Sequence, residues 1–215
     1  MFSLLLASTL AFRFDDSDIF LSNIRNAYHE VPSAIFFVRF TATDSKGVEG
    51  HGEVRYEYLA PNHLRAAFKG LAKGLAVLLC DGHRIATFAS GGKTSFSAFS
   101  AKKLTSLLPT NVETLAFFDS NNVLSRERGC EMFGSELSIA ADKEWKGKHW
   151  KVLRETNRQD SVQVDYYIDP ATHFIWRTVG KDLKTHKGFI DAEVLEIDTK
   201  TKVDPSRFKI PKKTY

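Results

Sequence analysis

The chain has 215 residues, 43% hydrophobic and 26% charged, a length and balance that suit one folded domain with a sizeable core. Its net charge of +4 is spread along the chain, without the one-sided basic cluster of a nucleic-acid binder. No stretch approaches the roughly 20 apolar residues that a membrane-spanning helix needs.

Met1 to Ala11 reads as the apolar stretch of a signal peptide with a small-residue end, though it lacks the positive start. On this reading residues 1–11 are a signal-peptide remnant, residues 12–215 form a single domain, and the protein is exported to the periplasm or cell envelope. Asp18 to Glu30 then reads as a helix, with Ile19, Phe20, Ile24, Ala27 and Tyr28 near helical spacing and Pro32 ending it.

Beyond Pro32 the period changes to two. Ala34 to Ala42 is rich in Phe, Val and Ile. Gly50 to Leu59 alternates, with Val54, Tyr56 and Tyr58 on one face and Glu53, Arg55 and Glu57 on the other, the pattern of a strand with one covered and one wet face. His63 to Lys69 continues with Leu64, Ala66 and Phe68. Leu75 to Leu79 is a short apolar strand, Asp81-Gly82 a hairpin signal, and Arg84 to Ala89 the return. Gly91-Gly92 turns into Thr94 to Phe99. Ala101 to Leu108 and Val112 to Leu124 read as two short helices separated by Pro109. Strands resume at Glu136 to Ala140, His149 to Glu155, Ser161 to Ile168, Phe174 to Lys181 and Phe189 to Asp198, with turns at Lys146-Gly147 and Asp169-Pro170. About eleven strands joined by short turns predict an antiparallel meander that curls or closes.

The two cysteines, Cys80 and Cys130, would close a loop of about 50 residues if paired, giving about 4 kcal/mol. Two buried free thiols are the preferred reading.

Motifs of catalysis are missing. The seven histidines show no metal-binding spacing, and there is no C-x-x-C. Gly91-Gly92-Lys93-Thr94 resembles the end of a phosphate-binding loop, but Thr87 stands where that loop needs glycine, and a strand follows where it needs a helix. No G-x-S-x-G elbow is present. The sequence therefore predicts no enzyme, no cofactor and no metal.

The chain carries 17 Phe, 6 Tyr and 3 Trp, many at alternating strand positions. They read either as an ordinary core or as the lining of an apolar trough. A trough needs shape and dryness, since burying an acyl chain returns about 0.8 kcal/mol per methylene without any catalytic group.

Three groups of residues occur together in order. They are Pro61-Asn62-His63-Leu64-Arg65 between two strands, Asp81-Gly82 before Arg84-Ile85-Ala86-Thr87-Phe88, and Tyr166-Tyr167-Ile168-Asp169-Pro170 followed by Val194-Leu195-Glu196-Ile197 and Val203-Asp204-Pro205-Ser206-Arg207-Phe208. In that order they resemble the LolA/LolB-like family of bacterial envelope lipoprotein carriers, over roughly residues 18–211. The resemblance implies a mainly β fold, an open and incomplete barrel with an N-terminal helix, lid helices and an apolar cavity. It departs at Ala60, where the family's carrier has an Arg that helps hold the lid closed. That departure bears against a shuttle mechanism; the fold carries over, and the exact cargo does not.

The expected cavity lining is Phe36, Val38, Phe40, Val54, Tyr56, Tyr58, Leu64 and Phe68, with Leu104, Leu107, Leu108, Phe117 and Phe118 in the lid. The expected ligand is a lipid, acyl chain or lipoprotein. The alternatives are an envelope sensor or scaffold that binds a protein partner through the same sheet and, behind it, an unrecognised hydrolase. A slip of one residue in Ala34 to Ala42 would reverse the face, because Ile35 and Phe37 are apolar too.

Overall fold

A computed structural model describes residues 16–43, 46–70, 75–100 and 135–211. One helix, α1 (Asp16–His29), precedes eleven strands: β1 (Ser33–Thr43), β2 (Glu49–Leu59), β3 (His63–Lys69), β4 (Leu75–Asp81), β5 (Arg84–Ala89), β6 (Thr94–Ala98), β7 (Ser135–Trp145), β8 (Lys148–Asn157), β9 (Val162–Ile168), β10 (Ile175–Asp182) and β11 (Gly188–Asp198). A 3-10 turn, Pro205–Phe208, follows. The two predicted middle helices and Cys130 lie outside the described residues.

All eleven strands form one sheet in the order β6-β5-β4-β3-β2-β1-β11-β10-β9-β8-β7. Every pairing is antiparallel, and each neighbour but one is consecutive in sequence. The exception, β1 against β11, joins the two halves of the meander. β6 and β7 are the outer strands, so the sheet is open, as the resemblance implies.

The helix face differs from the predicted one. Leu21, Ile24 and Tyr28 are buried, Phe20 is half-buried, and Ile19 is exposed. Spacings of three and four place the buried three on one stripe. Tyr28 anchors the helix: its hydroxyl accepts the Ile175 N–H at 3.0 Å, and its ring meets Phe174 edge-on at 5.0 Å.

Alternation sets the sheet faces. Phe36, Val38 and Phe40 of β1 share the inner face, against which α1 packs, while Ile35 and Phe37 are only partly buried on the other side. β7 is longer than its predicted core. Its register against β8 shifts between Ala140 and Lys143, and such a bulge breaks the period-two pattern. The β7–β8 hairpin turns on Lys146 and Gly147, both at positive φ (52° and 71°), as a tight hairpin requires. Gly180 is required by close approach: a Cβ there would lie 2.4 Å from the Phe189 ring and 2.7 Å from Ile190.

The outer face is polar but not uniformly wet. Glu57, read from alternation as solvent-facing, is completely buried. Arg207, 150 residues away, clamps it with Nε at 2.5 Å and Nη2 at 2.6 Å. The C-terminal segment thus lies over β2 to β5, with Phe208 against His63 and Ile210 packed with Leu79 and Ala86. On the other half of the outer face, Asp165 accepts both arms of Arg154 (2.7 and 2.8 Å) and the Lys143 ammonium (2.8 Å).

Burial by itself would raise the Asp165 carboxyl, but the bonds from Arg154 and Lys143 outweigh it and hold the group at about 2. That is below the unfolded value of about 3.9. The resulting stabilisation, about 1–2 kcal/mol, is present above pH ~4 and is lost as pH falls towards 2. Urea unfolding across pH 2–5 is expected to show a steeper loss of stability in the wild type than in Asp165→Asn. Equal slopes would remove Asp165 from the acid transition.

Candidate functional site

The inner face forms one apolar cluster that runs across the sheet from β5 to β8. It joins Ile85, Leu78, Leu64, Val54, Tyr56, Phe36, Val38 and Phe40 to Val194, Ala192, Ile175, Ile168, Tyr166 and Leu153, with α1 packed among them. Fully burying each large side chain contributes about 1.5–3 kcal/mol. Phe36 and Tyr56, paired across β1 and β2, stack with ring centroids 4.8 Å apart.

All eight described residues of the expected lining share this face. Seven are closed to solvent: Phe36, Val38, Phe40, Val54, Tyr56, Tyr58 and Leu64 are at most 4% exposed. Phe68 is half-buried at the edge of the cluster. Leu104, Leu107, Leu108, Phe117 and Phe118 lie outside the described residues.

Accessible apolar surface lies in a row that alternation in the early strands alone did not single out. Register places Gly50, Ala42, Ile190, Gly180, Val164, Glu155 and Leu137 side by side across β2, β1, β11, β10, β9, β8 and β7. Ala42, Ile190, Val164 and Leu137 are half-buried and pack on the core. The neighbouring row is closed over most of its length: Phe40, Ala192, Thr178, Tyr166 and Leu153 are buried, and Ile139 at its end is 39% exposed. The ring contacts and hydrogen bond that hold α1 are at Phe20–His173, Tyr28–Phe174 and Tyr28–Ile175, around the β9–β10 turn. The half-buried row crosses the other end of these strands.

One carboxylate interrupts the row. Glu155 Oε2 accepts the Tyr166 hydroxyl at 2.7 Å. The row therefore pairs an apolar track with one fixed acceptor, the composition of a site that holds a greasy ligand and orients one polar end. The period-two run Val162, Val164, Tyr166, Ile168 was the available signal for this half of the face.

A separate crevice of about 480 Å³ lies between α1 and the β9–β10 turn, lined by Asn23, Asn26, Val31, His173, Phe174 and Thr199. Among the described residues no group of three His, Cys, Asp or Glu could hold a metal, and no helix is long and apolar enough to cross a membrane.

No family model and no curated protein matches the chain. Its fold is shared with solved structures. An uncharacterized conserved protein from Thermus thermophilus aligns at a TM-score of 0.60 and 12% identity, over 92% of this chain and 96% of that one. Lower similarity is found to a LolA superfamily protein from Nitrosomonas europaea (TM-score 0.48, 10% identity, 90% of this chain and 97% of that one). A chain of the Pseudomonas aeruginosa MucA/MucB complex aligns at 0.44 and 12% identity, over 92% of this chain; this chain spans 62% of that one. The open eleven-stranded sheet with its N-terminal helix is the fold this chain shares with the Thermus thermophilus protein.

Cys80, on the inner face of β4, is a free thiol that donates to the Asn62 carbonyl at 3.2 Å. Burial pushes it up to about 11, against the lowering effect of the Gly82 backbone bond. In a Cys130→Ser variant, Cys80 is expected to resist a thiol reagent at pH 8 until denaturant is added, because both access and thiolate are lacking. Labelling within minutes under native conditions would show that this part of the core opens.

Proposed function

We propose that the protein is a non-enzymatic binding protein of the cell envelope that takes an acyl chain of a lipid or lipoprotein along the inner face of its sheet. The observation that carries this reading is the half-buried apolar row of Ala42, Ile190, Val164 and Leu137, flanking a dry core at the end of the strands away from the α1 anchor. The closed lining residues Phe36 to Leu64 form the floor behind it, and Phe68 extends the surface onto β3.

Glu155 selects the kind of lipid. A free fatty acid would bring a second carboxylate beside it, which like-charge repulsion disfavours. A headgroup that donates a hydrogen bond, such as the amide of an acylated lipoprotein or the hydroxyl of a glycerolipid, suits the fixed acceptor. The apolar leader, Met1 to Ala11, supports export to the compartment where such ligands occur. A protein partner on the same face is the second reading, favoured by Ile139 on the outer strand β7.

The test is titration of a fluorescent N-acyl amide into the purified full chain, with thermal melts of each variant run in parallel. Saturable uptake is expected, weakened at least about tenfold by Val164→Asp or Ile190→Asp, since each change places a charge against the acyl chain. Folded variants that bind as the wild type does, or a wild type that takes up no probe, would rule out this site. A fatty-acid probe is expected to bind more weakly than the amide, and Glu155→Gln to narrow the difference.

A further inference from the structure

The outer face carries a charged feature that takes no part in the binding proposed above. β1, β2 and β3 present Arg39, Arg55, Arg65 and Lys69 there, and the C-terminal segment adds Arg207. Two strand carboxylates stand among these five cations. Glu53 is shared by Arg39 (3.6 Å) and Lys69 (4.0 Å). Glu57 is approached by three guanidiniums at once, from Arg207, Arg55 (3.1 Å) and Arg65 (3.4 Å). On the neighbouring strand Glu193 stands opposite Arg39 and Glu196 opposite Phe37, and Asp204 accepts the Ser206 N–H and lies close enough to Arg207 to favour its charge.

We propose that Arg55, Arg65 and Arg207 form a binding site for a phosphate group. One carboxylate balances one guanidinium, and the two-pronged fit of Arg207 takes that share. Arg55 and Arg65 are left incompletely satisfied. Arg55 Nε is near Glu57 but off the line of a hydrogen bond, and it is buried without any hydrogen-bond partner. Arg65 reaches Glu57 through a single long contact of 3.4 Å.

Both guanidiniums are held in place and both reach solvent. Arg55 stacks on the Phe37 ring, 5.3 Å from its centroid, which fixes the plane of the fork. Its side chain is 41% exposed and that of Arg65 is 25% exposed. Glu57 holds both guanidiniums within one small area, 3.1 Å and 3.4 Å from the same carboxylate oxygen. A tetrahedral oxyanion supplies several acceptors at that point, and its negative charge meets the cationic excess around Glu57. Glu57 itself opposes the anion, which sets the expected affinity in the millimolar range.

The experiment is titration of inorganic phosphate into the full chain at constant ionic strength, reading the arginine Nε–H resonances by NMR. Saturable shifts of Arg55 and Arg65 are expected. Arg55→Gln with Arg65→Gln should weaken the affinity at least about tenfold, as loss of charge-assisted hydrogen bonds does, while Arg39→Gln leaves it unchanged. The remaining Arg207 resonance and a rise in melting temperature report binding in the variants. A second arm uses vesicles of phosphatidylcholine with and without phosphatidylglycerol. Binding to the anionic vesicles that depends on Arg55 and Arg65 assigns the phosphate to a lipid headgroup; response to inorganic phosphate alone assigns it to a soluble ligand. Shifts no larger than chloride produces at the same ionic strength, or a double variant that binds like the wild type, overturn the proposal. The site is on the face opposite the apolar row, so its failure leaves the acyl-chain reading standing.

Discussion

Burial of Leu21, Ile24 and Tyr28 in one cluster with β1, β2 and β10 is the contact on which the rest of this structure depends. A closed barrel hides its apolar face by meeting itself, whereas an open sheet needs another element to cover that face. Here α1 does so at the β10 end. Tyr28 ties helix and sheet through the Ile175 backbone, and a buried backbone N–H left without its acceptor would cost about 1–3 kcal/mol. The anchor sits to one side, so the covered face grades into a half-buried row. The binding proposal rests on that gradient.

The outer face solves a different problem. Two buried carboxylates, Glu57 and Asp165, gather cations from separated segments. Glu57 holds the C-terminal segment to β2 through Arg207, and Asp165 fastens β9 to β8 and β7 through Arg154 and Lys143. On this half of the outer face cations also lie on aromatic rings: Arg177, paired with Asp191, is 5.2 Å from Trp145 and 5.4 Å from Tyr167, and Lys143 is 5.6 Å from Tyr167. Trp145, Trp150 and Trp176 all belong to this cluster. Charge on the outer face is thus partly structural, and the uneven ratio at Glu57 separates a candidate anion site from a simple clamp.

Much of the architecture was legible in the chain. Strands β3 and β5 begin and end where alternation and turn residues place them, and the even-numbered face of β1 and β2 is the inner one. Turns at Asp81-Gly82 and Lys146-Gly147 were legible because few residues tolerate positive φ there. The miss at β7 came from its bulge, and the miss at Ile19 from a helical stripe that several apolar residues fit. Glu57 was misread because alternation reports which face a residue takes, not what a later segment lays over that face.

Sequence alone determined the period-two strands, their number and the sidedness of the sheet, since those depend on local backbone geometry repeated along the chain. It also carried the family-like order of motifs. Only the tertiary structure decided which apolar residues are sealed and which stay half-open, because exposure depends on cross-strand register and on the side where α1 docks. The same holds for the arginines around Glu57: Arg207 reaches Glu57 through folding across 150 residues and so joins Arg55 at one carboxylate, a juxtaposition that no local pattern encodes.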